Sequence, residues 1–158
     1  MKQTATAPAF AGVLQAEHDA LAAFLSLLQA EQEILVHGDA DRLAQLAPDK
    51  ERQIEELRRL GHERNRYLEG QGLGANSRDI KTWLETQSSA LRGTWRELLR
   101  RAQAAQQLNK SNGLLIESRL QQNRMKLSVL QAAASPGGLY RADGQLSPLH
   151  RVRALGQV

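Results

Sequence analysis

The sequence of 158 residues predicts an all-α fold: an antiparallel bundle or hairpin of three long helices, with a short helix between the first two and a flexible C-terminal tail. Leu and Ala together supply 48 residues, whereas Val, Ile and Thr supply only 14. This balance favours helices, because β-branched and aromatic side chains are the ones that sheets pack well. Apolar residues also recur at steps of three, four and seven over long stretches, which is typical of amphipathic helices.

The first helix is predicted from Phe10 to Val36, where a single apolar stripe recurs at helical spacing. Residues 1–9 lack this periodicity and predict a flexible N-terminal arm. His37-Gly38 is a plausible stop signal for the helix. Asp39 or Asp41 can cap the next helix, since a short carboxylate accepts hydrogen bonds from the unpaired amides of a first turn.

Pro48 interrupts the second apolar pattern, because proline lacks an amide hydrogen and crowds the preceding turn. The pattern therefore predicts a short helix over 40–46 and a second long helix from about Pro48 to Glu69. The segment 70–76 contains three glycines in its first five residues and predicts a loop.

The third long helix is predicted from about 78 to 133, with a kink near 86–93 or at Gly113. The helical domain accordingly spans residues 10–134. Proline, glycine and scattered apolar residues characterise residues 135–158, which predict a weakly structured tail.

The charge distribution is asymmetric although the net charge is only +4. Residues 1–36 carry a net charge of −3, and residues 70–134 carry +6. Packing of the acidic first segment against the basic third one explains this asymmetry within the fold, and we favour it over nucleic-acid binding. The longest nearly apolar run, 20–28, is too short to span a bilayer, so we expect a soluble, cytoplasmic chain without membrane insertion.

Composition argues against catalysis and metal binding. The chain has no cysteine, and its four histidines lack the spacing of a zinc site. Acidic residues between 39 and 56 alternate with basic ones, as on a solvated helix face. We therefore expect neither an enzyme nor a bound cofactor or metal.

One basic face requires an explanation. Arg92, Arg96 and Arg100 follow one another at i, i+4 steps, and like charges at that spacing repel. An acidic group should lie opposite them. The acidic first helix is the favoured candidate, ahead of an acidic partner protein or nucleic acid, since no aromatic residue interleaves this face as a base-stacking platform would.

The most informative local feature is Asn112-Gly113 inside the third helical pattern. Asn112 falls on the apolar stripe, where a buried amide either fixes the register of the bundle or marks a surface that another chain covers. Gly113 allows another backbone to approach closely. The stripe then continues past the expected ends of the other helices, and an uncovered apolar helix face is a binding site for a partner. The candidate binding residues are Asn112, Leu115, Ile116, Leu120, Leu127 and Leu130.

Several sequence segments together carry a family resemblance. They are Leu27-Leu28-Gln29-Ala30-Glu31, Leu35, Gly38-Asp39, Leu43, Lys50 and Leu57, then Leu108-Asn109-x-x-Asn112-Gly113-x-Leu115-Ile116, and finally Tyr140-x-x-Asp143-Gly144. Over about residues 14–145 the chain resembles the FlgN family of flagellar type III export chaperones.

This resemblance implies a cytoplasmic, non-enzymatic helical protein that binds the C-terminal helical region of the hook–filament junction proteins FlgK and FlgL. It implies delivery of these proteins to the export gate protein FlhA and the export ATPase complex. Contact with the junction proteins would then fall on the last helix and the tail, and Tyr140 would contact the export gate.

Two alternatives remain open on the residues alone. A structural coiled-coil module that only self-associates, for example as a homodimer, would also carry long apolar stripes. A basic nucleic-acid binder would require binding that depends steeply on salt.

Overall fold

The computed structural model describes residues 6–74 and 77–134, which form four helices and no strand. The helices are α1 (Thr6–His37), α2 (Ala40–Gly70), α3 (Ser77–Glu85) and α4 (Ser89–Ala134). The predicted all-α class is confirmed.

Helix α1 buries a regular stripe along its whole length. Leu27 and Ile34 are buried beside this stripe. The stripe itself alternates in steps of four and three, which is the spacing of a coiled-coil seam: Phe10, Leu14, Glu17, Leu21, Phe24, Leu28, Glu31 and Leu35. The helix begins at Thr6, four residues before the predicted start. Pro8 is compatible with this start, because the first turn of a helix leaves its amides without intrahelical partners.

The turn between α1 and α2 forms as predicted. Gly38 has a φ angle of 76°, a conformation that favours glycine, and its amide donates to the carbonyl of Ile34 at 2.9 Å. Of the two candidate caps, Asp39 performs the role, since its Oδ1 accepts the amide of Arg42 at 3.0 Å.

The predicted position of the short helix is wrong. Helix α2 continues through Pro48, and the short helix is α3, which lies between the second and third long helices rather than between the first two. Pro48 and Ala44, the residue whose carbonyl it leaves unpaired, are both exposed, so that carbonyl can reach water. Leu46 and Lys50 on either side are half-buried on one face, and this packing holds the helix together across the proline.

The kink predicted near 86–93 is a complete break at Thr86–Ser88. Ser88 begins α4 by accepting the amide of Leu91 on its Oγ at 3.2 Å. The helix then runs without interruption through Gly113.

Pairs of contacting residues define the helix directions. Glu17 meets Arg64 and Glu31 meets Lys50, so α1 and α2 are antiparallel. Asn112 donates to the carbonyl of Leu28, and Trp95 lies near Phe10, so α4 runs parallel to α1. The expected pairing of the acidic first helix with the basic third segment is therefore wrong for its buried acids, which instead pair with bases of α2.

Two units are distinguished, residues 1–116 and residues 117–158. The first holds the apolar core. In the second, the structure describes 117–134, the last 18 residues of α4, and none of these is buried. The predicted tail, 135–158, and residues 1–5 of the predicted arm lie outside the described residues, so these domain boundaries stay predictions.

Candidate partner-binding surface

Four aromatic side chains join the helices at one end of the bundle. Phe10 of α1 stacks on Tyr67 of α2 with ring centroids 4.5 Å apart, and the ring of Trp83 of α3 meets it edge-on at 5.3 Å. Trp95 of α4 lies 6.5 Å away, and the guanidinium of Arg64 lies 5.9 Å from its ring centre. This cluster anchors the start of α4 against the α1–α2 hairpin.

A buried polar network joins three helices farther along the bundle. The Nδ2 of Asn112 donates to the carbonyl of Leu28 and to Oε2 of Glu31, both at 2.8 Å. Lys50 of α2 donates to both oxygens of the same carboxylate at 2.8 Å. Asn112 is fully buried and Glu31 is 4% exposed. Because Asn112 and Lys50 both donate to Glu31, the network fixes the axial register of α1, α2 and α4.

A second buried ion pair lies 14 residues away on both α1 and α2. Arg64 donates to Oε1 of Glu17 at 2.6 Å, while Oε2 of Glu17 is buried without a hydrogen-bond partner among the described residues. Burial raises the pKa of Glu17 above its usual value, and the charge and hydrogen bond of Arg64 offset this only in part. The two ion pairs are about 21 Å apart along the helix axis.

Neither buried acid was predicted from the sequence, although a signal was present. The apolar residues of α1 leave two gaps of seven, between Leu14 and Leu21 and between Leu28 and Leu35. Glu17 and Glu31 fill them at the position of the seam. Charged residues on the seam of a helix need partners of opposite charge, and these two acids have the same 14-residue separation as Arg64 and Lys50.

The predicted binding residues fall into three groups. Asn112 is fully buried. Its burial supports the interpretation that it fixes the register of the bundle, rather than the interpretation that it marks a surface covered by another chain. Leu115 and Ile116 are half-buried. The remaining three are more than half exposed: Leu120 (51%), Leu127 (57%) and Leu130 (63%). We call these three the terminal stripe. Tyr140 lies outside the described residues.

The terminal stripe forms a continuous face. Its steps of seven and three residues follow helical spacing, but the stripe is offset by one position from the buried series Leu98, Ala105 and Asn112, which is spaced by sevens. The next residue in this seven-residue series, after Asn112, is Arg119, which is half-buried. Three leucines at helical spacing are therefore open on 117–134.

No other backbone among the described residues approaches Gly113 closely. The residue is exposed, and a Cβ atom built there would meet nothing within 4 Å. The position is open, so the expectation that Gly113 allows another backbone to approach closely stays a prediction.

One exposed acid of the first helix, Asp19, lies near a basic residue of α4: its pKa is lowered chiefly by hydrogen bonds with His18 and Gln15 and to a smaller extent by the charge of Arg101. Arg100 and Arg101 both donate to Glu97 of their own helix, and these contacts lower the pKa of Glu97 to about 2. Arg92 donates to the backbone carbonyl of Glu85 at 3.0 Å. Arg96 is exposed beside a groove between α3 and α4.

Neither a metal-binding cluster nor a membrane-spanning helix is present in the described residues, 6–74 and 77–134. They contain no cluster of three or more His, Cys, Asp or Glu able to hold a metal ion. None of the helices within these ranges combines the length and the apolar character that crossing a membrane requires.

The fold and the terminal stripe define a helical-hairpin protein whose last long helix carries an uncovered apolar face. The chain belongs to the FlgN protein family, whose profile matches residues 1–148. It is 37% identical over 57 residues to the flagella synthesis protein FlgN of Escherichia coli K12 and 39% identical over 57 residues to that of Salmonella typhimurium. These matches cover 36% of this chain and about two fifths of the relatives' length, 41% and 40% respectively. No solved structure matches the chain significantly.

Proposed function

We propose that this protein is a cytoplasmic, non-enzymatic export chaperone of the flagellum. It binds the C-terminal helical region of the junction proteins FlgK and FlgL, prevents their premature assembly, and delivers them to FlhA and the export ATPase complex. Membership of the FlgN family supports the flagellar role. The observation that carries the binding role is the exposure of the terminal stripe on α4.

The physical basis of binding is the burial of apolar surface. An amphipathic helix of the cargo can lay its apolar side chains on the terminal stripe, where leucines lie at helical spacing. Fully burying a leucine contributes about 1.5–3 kcal/mol. The three leucines of the stripe are 51–63% exposed, so each contributes roughly half of this, and together with their cargo partners they are enough for a moderate affinity after the cost of association. Moderate affinity suits a protein that must release its cargo.

The six predicted residues have three different roles in this proposal. Leu120, Leu127 and Leu130 contact the cargo, and the half-buried Leu115 and Ile116 border the contact surface. Asn112 supports the surface indirectly, because its hydrogen bonds hold α4 in register against α1.

Co-elution tests this function. The purified full chain is mixed at micromolar concentration with the last ~50 residues of FlgK or FlgL, a length of a few helices, and analysed by size-exclusion chromatography with light scattering. We expect a complex with the wild type. The Leu120→Asp/Leu127→Asp variant should lose the complex while keeping its helical circular dichroism, because both side chains are exposed.

Leu114→Asp is the matched control. Leu114 is 61% exposed on the same helix but faces away from the terminal stripe, so this substitution should leave the complex intact. Absence of a wild-type complex contradicts the proposal. A stable homodimer whose mass does not change when cargo is added would favour the self-association alternative, because a second copy can cover the same leucines.

A further inference from the structure

A second surface combines apolar and basic side chains in a groove between α3 and α4. Two i, i+4 pairs form its floor: Ile80 and Leu84 on α3, and Trp95 and Leu99 on α4. Leu84 is buried, but Leu99 is 53% exposed. The groove encloses about 780 Å³, within the range of roughly 300–1,000 Å³ that is common for binding sites.

Basic side chains surround this apolar floor. Arg78 and Lys81 of α3 and Arg92 and Arg96 of α4 line the groove, and Glu85 is the one acid among the lining residues that the structure describes. The side chains of these lining residues therefore carry a net formal charge of +3. The ion pairs that bury the acids of α1 involve α2, so α1 does not use these acids to neutralise the groove.

We propose that this groove binds an acidic amphipathic helix of a partner protein. Such a helix would place apolar side chains on the floor and carboxylates beside Lys81 and Arg96, one on each wall. The groove lies within residues 1–116 and the terminal stripe within 117–134, so this is a binding site separate from the one proposed for cargo.

Charge distinguishes this occupant from two alternatives, which are residues 135–158 of the same chain and a second copy of the chain. Residues 135–158 contain three arginines and a single aspartate, so their charge matches the sign of the groove and opposes binding. A second copy offers few acids for the purpose. Four surface acids of α2 pair with arginines of that helix, as in Glu55–Arg58 and Glu56–Arg59, and its other exposed acids, Asp41, Glu51 and Glu69, lie too far apart along the helix to form an acidic face.

Fluorescence anisotropy tests the proposal with the full chain. The probe is a labelled helical peptide of about 18 residues, or five turns, with Leu at i, i+4, i+7 and i+11 and mostly Glu elsewhere. We expect saturable binding that weakens as salt is added. The same peptide with Lys in place of Glu should not bind, and a scrambled peptide of the same composition should bind at least about ten-fold more weakly.

Two variants locate the site. Lys81→Glu/Arg96→Glu reverses one exposed charge on each wall and should weaken binding by about ten-fold or more. Leu99→Asp should weaken it comparably by removing the exposed part of the floor. The control Arg66→Glu/Lys110→Glu makes the same change in net charge at exposed positions away from the groove and should change the affinity less than about two-fold.

Three results would overturn the proposal: equal binding of the scrambled or lysine peptide, equal weakening in the control variant, or no binding to the wild type. Cargo co-elution of the groove variants separates the two sites. Loss of the acidic peptide with retention of FlgK or FlgL supports two independent surfaces, whereas joint loss in variants that keep their helical content contradicts them.

Discussion

The buried amide of Asn112 provides the most direct test of how the bundle is held in register. Replacing it by Asp keeps the size of the side chain but removes both donated hydrogen bonds, to the carbonyl of Leu28 and to Glu31. It also places a second carboxyl within about 3 Å of the Glu31 carboxylate, where Lys50 is the only base within hydrogen-bonding distance among the described residues.

The expected decrease in the free energy of unfolding follows from these contacts. A hydrogen bond to a neutral carbonyl contributes about 0.5–1.5 kcal/mol and one to a charged group about 1.5–3 kcal/mol. The added buried charge increases the loss, so Asn112→Asp should lower the free energy of unfolding by about 3–5 kcal/mol near neutral pH. This is a large part of the roughly 5–15 kcal/mol that stabilises an ordinary domain.

The loss should depend on pH in a defined direction. Repulsion between the two carboxylates raises the pKa of one of them in the folded state above its unfolded value of about 4. The folded variant then binds more protons than the unfolded one, so its stability rises as pH falls through the raised pKa. Relative to the wild type, the deficit should shrink between about pH 7 and pH 5.

Urea unfolding followed by far-UV circular dichroism measures both effects. Asn109→Asp is the matched control, because Asn109 is exposed on the same helix three residues earlier and should change stability by less than about 0.5 kcal/mol at either pH. A deficit below about 1 kcal/mol for Asn112→Asp, or one that does not change with pH, would refute the register-fixing role.

Three further predictions concern other residues. Because burial raises the pKa of Glu17 in the folded state, the wild type should lose stability as pH rises from about 4.5 through that raised pKa. Glu17→Gln should remove this loss. Urea-unfolding free energies that depend on pH in the same way for both proteins would contradict the prediction. Gly113→Ala should raise the free energy of unfolding by about 0.5–1 kcal/mol, since the added methyl meets no atom within 4 Å, and a decrease would reveal an unseen contact. Tyr140→Ala should leave FlgK and FlgL co-elution unchanged but reduce their export in a motility or secretion assay; loss of co-elution would contradict a separate gate contact.

Much of the fold was predictable because its determinants are local. The apolar seam residues of α1, the Gly38 turn and the loop after Gly70 follow from spacing and backbone preferences within a few residues. The exposure of Leu120 and Leu127 also agrees with the predicted continuation of the stripe beyond covered positions.

The errors arose where distant contacts outweigh local preference. Pro48 should end a helix by its own chemistry, yet α2 continues because flanking residues pack on one face. The acidic first helix was expected to pair with the basic third segment, but its buried acids, Glu17 and Glu31, pair with Arg64 and Lys50 of α2. Total charge per segment does not reveal which side chains face each other.

The sequence by itself determined that this chain is helical and where apolar faces recur, because a helix repeats its faces every three or four residues. Only the tertiary structure decided what those faces meet. The amide of Asn112 finds its partners 81 and 84 residues away, and no local pattern encodes that distance. The same packing that covers Asn112 leaves the leucines beyond it in water, and this contrast between two parts of one helix is the basis of the proposed cargo site.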